Sequence, residues 1–278
     1  MQIGFYVLLF IIGACFGSFL CCQARRIHLK HQNDDLSHTS GKKSNKSLPA
    51  RSICLHCHYQ LKWYDNIPVV SWLLLRGKCR KCHRKIGIAE FLAELGVALA
   101  FLALGITIDL ETADVLTWII FIMTLIFTLS ASFLAIYDGL YGELPSKALL
   151  LSIICATVLL LLKEASFLTT SSFKPEFVYN PILSVAVLSG IYLVLHKLSN
   201  GKWVGDGDWL LGLALALALY DPWLSLITLF ISNLLACLVM YPIVRKKKHA
   251  HIYFGPFLVI AFVITLTFAD FFYYAIGG

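Results

Sequence analysis

Charged side chains are scarce in this chain of 278 residues. Asp, Glu, Lys and Arg make up 14% of it, whereas 59% of the residues are hydrophobic. A soluble domain of this size carries roughly 25% charged residues, so the composition excludes that class. It predicts an all-α polytopic membrane protein, because a membrane span needs about 20 predominantly apolar residues in a row. The sequence also lacks internal repeats and Gly- or Pro-rich linkers, which argues against a repeat array or a set of tethered domains.

Apolar runs predict about eight transmembrane helices in three parts. Residues 1–22 form the first helix, 23–87 a polar segment, and 88–278 a core of seven helices. Positive charge follows the first run instead of preceding it, so we expect a retained helix and not a signal peptide. The first half of the polar segment, to about Ala50, has the composition of a flexible arm. The predicted spans are 3–22, 88–108, 115–137, 146–163, 180–198, 208–220, 222–244 and 252–275.

The distribution of Lys and Arg predicts the orientation. With residues 23–87 in the cytoplasm and the spans alternating, 21 of the 23 Lys and Arg fall on the cytoplasmic side, and only Lys163 and Lys174 fall outside. This agrees with the positive-inside rule and places both termini outside. The net charge of +7 is therefore explained by topology and lipid headgroups as partners, and we expect no nucleic acid partner.

Four of the nine cysteines are regularly spaced and form what we call the cysteine tetrad. Cys54 and Cys57 make one C-x-x-C pair, and Cys79 and Cys82 make a second pair with 21 residues between. This spacing is typical of a zinc ribbon, in which four thiolates surround Zn²⁺. Two disulfides or a redox dithiol pair are the alternatives, and the predicted cytoplasmic location argues against stable disulfides. Four protein ligands leave no open position, so we expect a structural role for the metal.

Two aspartates lie where apolar runs end or begin. Asp138 follows residues 116–137, and Asp208 closes the stretch Gly205-Asp206-Gly207-Asp208. A mid-helix Asp costs roughly 2.5 to 3.5 kcal/mol on insertion scales, so such residues are functional candidates. Alone, Asp138 fits a helix cap and the Gly-x-Gly-Asp stretch fits a loop turn. Both fall at the same predicted face, which indicates a catalytic pair.

With these features in place, the chain resembles the type IV prepilin leader peptidases over nearly its whole length. The spacing in that family favours Asp208 over Asp206 as the second catalytic residue. Two departures are Cys21, where the family often has Asn, and Leu210, where it often has Lys. The matching stretches are Gly17-Ser18-Phe19-Leu20 with Arg26, Trp63 to Trp72, Leu75 to Cys79, Glu94-Leu95, Asp138 with Leu144-Pro145, Gly205 to Asp208, and Phe254 to Phe257.

The resemblance implies an aspartic endopeptidase that removes a basic leader peptide from pilin-like precursors at a prokaryotic plasma membrane. One carboxylate of the pair is ionised and takes a proton from water, while its protonated partner polarises the scissile carbonyl. Gly205 and Gly207 suit such a site, because without Cβ atoms they let a substrate backbone approach and permit unusual φ/ψ angles. Glu94 is expected to meet a cationic leader, pair with a basic group, or make a structural hydrogen bond.

Many members of that family also N-methylate the new amino terminus with S-adenosylmethionine. No separate methyl-donor motif stands out in the chain, so this second activity is implied by the resemblance alone. Two other functions fit part of the sequence. One is a different Gly-x-Gly-Asp intramembrane protease, which the zinc segment fits poorly. The other is a transporter or assembly factor with a zinc-ribbon domain, because buried acids also mark ion paths.

Overall fold

The structure is a computed structural model of the chain, and it describes residues 2–40, 53–54, 56–170, 176–201, 204–246 and 253–276. The chain divides into two compact units. Unit 1 comprises Ile3–Leu102 and unit 2 comprises Ala103–Gly278. Regular structure in the described residues is helical, apart from two isolated antiparallel bridges in unit 1. The predicted all-α class is confirmed.

Unit 1 contains two long helices and a small polar segment. The long helices are α1 (Gln2–Ser40) and α3 (Ile88–Ile106); between them lie a 3₁₀ turn (Trp63–Asn66) and α2 (Val70–Leu74). The prediction of a flexible arm directly after the first span is wrong as far as Ser40, because the helix continues through the polar sequence. The rest of that predicted arm, residues 41–50, lies outside the described residues.

Two glycines let α1 and α3 pack closely. A Cβ on Gly13 would lie 2.8 Å from the Cα of Ala98, and one on Gly17 would lie 2.7 Å from the Cα of Glu94. Real Cβ atoms do not approach backbone so closely, so only glycine fits at either position. Gly17 belongs to the Gly-Ser-Phe-Leu stretch, and this contact explains why that stretch has glycine at its first position.

Six helices of the described chain are long and apolar enough to cross a membrane, and a pair bent by 73° makes a seventh span if it is counted as one. The eight predicted runs all form helices, but the sixth is only 14 residues long.

Unit 2 is a helical bundle. Its helices are α4 (Val115–Tyr141), α5 (Ser146–Thr170), α6 (Glu176–Val185), a π segment (Ala186–Gly190), α7 (Ile191–Ser199), α8 (Asp206–Leu219), α9 (Pro222–Lys246), α10 (Gly255–Thr267) and α11 (Ala269–Ile276).

The short helix α8 is held on several sides by polar contacts. Ser189 of the π segment donates a hydrogen bond to the Trp209 carbonyl at 2.9 Å, and Ser184 of α6 donates to the Ala216 carbonyl at 2.8 Å. Near its C-terminus, the ammonium of Lys163 donates to the Ala218 carbonyl at 2.6 Å. Lys163 lies within α5, which continues to Thr170, and its ammonium caps a neighbouring helix. Position and direction of α8 are thus set by several neighbouring side chains.

A short turn joins α8 to α9. Pro222 is the first residue of α9, and Asp221 caps the helix by accepting from the backbone N–H groups of Trp223 and Leu224 at 2.8 and 3.0 Å. Proline is favoured at a first helical position because its missing N–H has no helical partner there.

Candidate active site and metal centre

Asp138 lies in the last turn of α4 and is buried, with 6% of the residue exposed. The apolar run continues as helix through Tyr141, so Asp138 lies inside the helix and not after it. Its Oδ2 accepts a hydrogen bond at 2.8 Å from the backbone N–H of Gly255, the first residue of α10. A Cβ on Gly255 would lie 2.9 Å from that oxygen, so the contact requires glycine.

The role of Gly255 is one that the sequence analysis missed. The stretch Phe254 to Phe257 marked the entry to the last helix, but nothing in it pointed to a partner 117 residues away. The sequence did contain one signal, a glycine directly before Pro256. Proline favours the start of a helix, and the glycine permits another group to approach the backbone closely.

Asp208 lies in the first turn of α8 and is partly exposed. Its Oδ2 accepts a hydrogen bond at 3.0 Å from the backbone N–H of Gly205, the N-cap residue. Acidic side chains are stabilised in the first turn of a helix, where backbone N–H groups lack helical partners. The Gly-x-Gly-Asp stretch therefore forms a helix start that fixes the orientation of one carboxylate.

The fold brings the two carboxylates to the same end of unit 2. The C-terminal turn of α4 and the N-terminal turn of α8 meet there, and Asp208 is near enough to Asp138 to interact with it electrostatically. Leu144, which follows α4, packs against Gly207 so closely that a Cβ there would lie 2.5 Å from its Cδ1. Two acids far apart in sequence thus lie at the same end of unit 2.

The two glycines of this stretch have ordinary backbone conformations. Gly205 is extended with φ −70° and ψ 160°, and Gly207 lies within the helix. Neither uses the unusual φ/ψ angles that glycine permits. Gly207 is required by the close approach of Leu144, whereas left-handed glycines occur at Gly142, which ends α4 with φ +72°, and at Gly201, which follows α7 with φ +74°.

The cysteine tetrad converges in unit 1. All four sulfurs lie within 4.8 Å of one another; the Cys54–Cys82 and Cys57–Cys79 pairs are 3.8 and 4.0 Å apart. Tetrahedral Zn–S bonds of about 2.3 Å require sulfurs about 3.8 Å apart, so the tetrad fits a metal ion of this kind. These distances exceed the roughly 2.05 Å of a disulfide, and the structure contains all four cysteines in the free form.

Both halves of the tetrad use the same local turn. His58 and His83 each follow the second Cys of a pair, and each has φ +54°. Their N–H groups donate to the carbonyls of Cys54 and Cys79, both at 3.0 Å. Histidine is among the residues that tolerate the left-handed region. These histidines therefore shape the turns while the sulfurs supply the candidate ligands.

Backbone hydrogen bonds prepare one sulfur of the tetrad as a thiolate. The N–H groups of Cys57 and His56 lower the pKa of the Cys54 thiol to about 6. A backbone hydrogen bond from Tyr59 also lowers the pKa of Cys57, but desolvation and hydrogen bonds with the other three sulfurs raise it to about 11. Four neighbouring thiols cannot all ionise together without a cation, so the set favours metal binding.

Charged residues support the tetrad segment. The carboxylate of Asp65 accepts from the guanidinium Nε of Arg80 at 2.7 Å and from the Lys62 backbone N–H at 3.2 Å. Arg25 of α1 and Glu90 of α3 form an ion pair. Asp65 lies in the 3₁₀ turn, and the sequence pattern gave no sign of its pairing with Arg80.

Glu94 makes a structural hydrogen bond, one of the alternatives that the sequence left open. Its carboxylate accepts at 2.7 Å from the N–H of Val69. Val69 has φ +62° and ψ −52°, and the next N–H, that of Val70, bonds back to the Pro68 carbonyl at 2.6 Å. This is a γ-turn of the rare strained kind, centred on a β-branched residue that disfavours it. Glu94 therefore helps to hold a strained turn inside unit 1.

Unit 1 also contains a cavity of about 450 Å³. Small-molecule sites in proteins occupy roughly 300 to 1,000 Å³, so the cavity is large enough for a ligand of that class. Its walls combine both charge signs with aromatic and sulfur groups; they include Arg25, Glu90, Glu94, Trp72, Phe91 and Cys21.

These features define a multi-pass helical membrane protein with an acidic pair at one end of unit 2 and a cluster of four cysteines in unit 1 that can hold a metal. A family model described as "Bacterial Peptidase A24 N-terminal domain" matches residues 11–108. A prepilin leader peptidase/N-methyltransferase of Pectobacterium carotovorum is 30% identical over 198 residues, which cover 57% of this chain and 70% of that protein. No solved structure matches the chain.

Two relatives with the same name match almost the whole chain. The protein of Aeromonas hydrophila is 27% identical over 285 residues, covering 96% of this chain and 91% of its own length. The protein of Stutzerimonas stutzeri is 27% identical over 286 residues, covering 96% and 92%. The chain belongs to the prepilin leader peptidase family. Membership favours the first function inferred from the sequence over the other intramembrane proteases and the transporter.

Proposed function

We propose that the protein is an aspartic endopeptidase of a prokaryotic plasma membrane that removes the leader peptide from pilin-like precursors. The observation that carries this proposal is the placement of Asp138 and Asp208 at one end of unit 2, each with one oxygen held by a backbone N–H. Two carboxylates that share one proton supply the base and the acid that peptide hydrolysis needs.

In this proposal the ionised member of the pair takes a proton from a water molecule, and the protonated member donates to the scissile carbonyl. Water then adds to the carbonyl carbon, and the amide bond breaks as its nitrogen receives a proton. The hydrogen bonds from Gly205 and Gly255 fix the direction of each carboxylate before substrate binds, so no reorganisation is needed during the reaction. The substrate's own apolar helix, lying in the bilayer, aligns the bond to be cut.

The proposed orientation places residues 23–87 in the cytoplasm and both termini outside. It is supported by the Lys and Arg bias. It puts the acidic pair at the cytoplasmic boundary, where the basic leader of a membrane-inserted precursor begins. A reporter enzyme that is active only outside the cytoplasm should be active when fused to the C-terminus and inactive when inserted after Gly41.

The tetrad is proposed to hold one Zn²⁺ with a structural role, and its fit to tetrahedral sulfur geometry supports this. N-methylation with S-adenosylmethionine is proposed as a second activity, supported by the names of the relatives. The cavity of unit 1 has a suitable volume for the methyl donor. When bound, the donor supplies a methyl group to the new amino terminus.

The test is a cleavage assay with the purified full-length protein and a pilin-type precursor. Wild type should release the leader, and Asp138→Asn and Asp208→Asn should each abolish release. Asp270→Asn, which removes an exposed carboxylate of α11, is the matched control and should cleave normally. Normal cleavage by both active-site variants would refute the acidic pair, and absence of cleavage in wild type would favour the transporter alternative.

Mass spectrometry of the product terminus separates the two activities. With S-adenosylmethionine present, the mature product should gain the mass of one methyl group. A cut but unmethylated product under those conditions would reject the second activity and leave the peptidase assignment intact.

A further inference from the structure

His196 in the last turn of α7 contacts the start of α8 through both ring nitrogens. Its Nδ1 lies 2.8 Å from the Val204 carbonyl oxygen, and its Nε2 lies 2.9 Å from Oδ1 of Asp206. A carbonyl and a carboxylate both accept hydrogen bonds, so each ring nitrogen must donate. Only the doubly protonated imidazolium makes both contacts at once with an ionised Asp206.

The Val204 carbonyl and the Gly205 N–H belong to one peptide group. That N–H is the donor to Oδ2 of Asp208, at 3.0 Å. Because a peptide group is planar and trans, fixing its oxygen also fixes the direction of its N–H. The hydrogen bond from His196 therefore continues through this single peptide to Asp208, and hydrogen bonds arranged in such chains polarise one another.

The surroundings favour a cation at this position. The ring lies at the C-terminus of α7, where the helix dipole stabilises positive charge. Helix α7 ends there in a left-handed turn, with Asn200 and Gly201 at φ +50° and +74°. The Gly201 N–H bonds back to the carbonyl of His196 at 3.0 Å. The ring is 20% exposed, so protons reach it from solvent.

Among the residues that the structure describes, the carboxylates nearest the ring come from α8. Asp206 is the contact partner, and Asp208 is close enough to interact with the ring electrostatically. The π segment that packs beside α7 carries no titratable side chain. On α7 itself, Tyr192 lies one turn earlier and Lys197 is the next residue, which is exposed. Two carboxylates and one neighbouring ammonium are thus the charged groups that the described residues supply here.

We propose that His196 is a positioning residue of the peptidase site, whose imidazolium holds the peptide that orients Asp208. The inference rests on the proposed function. It predicts that loss of one ring proton releases either the Val204 carbonyl or Asp206, so the start of α8 loses one of its two anchors. Asp208 then adopts the reactive direction less often, and turnover falls while substrate binding is retained.

The first test is His196→Gln in the full-length protein, with precursor cleavage as the readout. We expect kcat to fall about 10- to 100-fold, because a misplacement of 1 Å at a reacting group costs up to about 100-fold, and KM to change less than about twofold. Lys197→Gln, which removes an exposed cation from the same helix turn, is the control and should keep wild-type kcat.

The second test uses Asp206→Asn and leaves the ring unchanged. An amide can donate to Nε2 of a neutral ring, so this variant keeps the Val204 hydrogen bond when the ring has lost a proton. The ratio of Asp206→Asn to wild-type kcat should therefore rise with increasing pH, and the titration of the acidic pair itself cancels in this ratio. In a His196→Gln background the same ratio should stay constant.

The outcomes separate this inference from the proposed function. Absence of cleavage in wild type contradicts the peptidase assignment itself. Cleavage by wild type with an unchanged kcat in His196→Gln, or a ratio that does not depend on pH, overturns the role of His196 alone. If His196→Gln does not fold, the ratio of Asp206→Asn to wild type still decides the question.

Discussion

The cysteine tetrad and the acidic pair are built in opposite ways. Each half of the tetrad is one local turn, in which the second Cys follows the first by three residues and a left-handed His closes the turn. The acidic pair joins residues 138 and 208, and one of the two carboxylates is held by an N–H of a third helix, α10. Local sequence thus determines the first site, whereas helix packing determines the second.

The largest expected effect concerns the metal. Cys79→Ser removes a buried sulfur, 3% exposed, and we expect bound zinc to fall from about one ion per chain toward none. Small zinc domains draw on the order of 10 kcal/mol of apparent binding free energy from their metal, so the thermal unfolding of unit 1 should shift strongly. Cys237→Ser, outside the tetrad, is the control. Metal analysis that finds no zinc in reduced, folded wild type would contradict the assignment.

The acidic pair should respond as one functional unit. We expect Asp138→Asn and Asp208→Asn each to lower kcat by about 10⁴-fold or more, and the double variant to lose little further, because residues that act together are not additive. The measurement is single-turnover cleavage of the precursor. If the loss of kcat in the double variant equals the product of the two single losses, the two aspartates act independently and not as a pair.

These two sites also differ in how far sequence alone can predict them. The tetrad follows from the C-x-x-C spacing, and the sulfurs converge as expected. Asp138 and Asp208 were identified as candidates by their place beside apolar runs, but neither the partner Gly255 nor the contact between Leu144 and Gly207 has a local signature. Those contacts depend on how the helices pack against one another. The side-chain pattern along a single helix does not contain that information.

Packing at the acidic pair can be tested without touching either carboxylate. Gly207→Ala places a Cβ 2.5 Å from Cδ1 and 2.7 Å from Cβ of Leu144, and such overpacking costs about 1 to 3 kcal/mol. Leu144→Gly in the same chain removes both of these Leu144 atoms and should recover part of the lost stability. The control is Gly139→Ala, where the nearest atom would be at 3.4 Å, and it should not destabilise. Thermal unfolding measures each variant.

The smallest expected effect is a pH dependence of folding stability that arises at Asp114, the N-cap residue of α4. The hydroxyl and N–H of Thr117 bond to Asp114 and lower the pKa of its carboxyl below the usual value of about 3.9. The ionised cap therefore stabilises the fold above that usual value, and its contribution is lost as the pH falls through the lower pKa of the folded state.

Asp114→Asn isolates that contribution, because Asn caps a helix about as well but does not titrate. Between about pH 5 and pH 2, wild type should lose slightly more thermal stability than this variant. Equal losses in the two proteins would show that the stability of this helix start does not depend on the charge of Asp114.

The brevity of α8 has a consequence for the lipid that surrounds the protein. Its 14 residues span about 21 Å at 1.5 Å per residue, whereas the hydrocarbon layer is about 30 Å thick. In the proposed orientation, which places Asp208 at one boundary, the turn at Tyr220 and Asp221 ends inside the layer, where irregular backbone survives only if protein shields it. The long aliphatic arm of Lys163 and its charged tip provide that shielding at Ala218. Acyl-chain length therefore becomes a physical parameter of this enzyme, since a thinner bilayer relieves the mismatch along this side of the bundle.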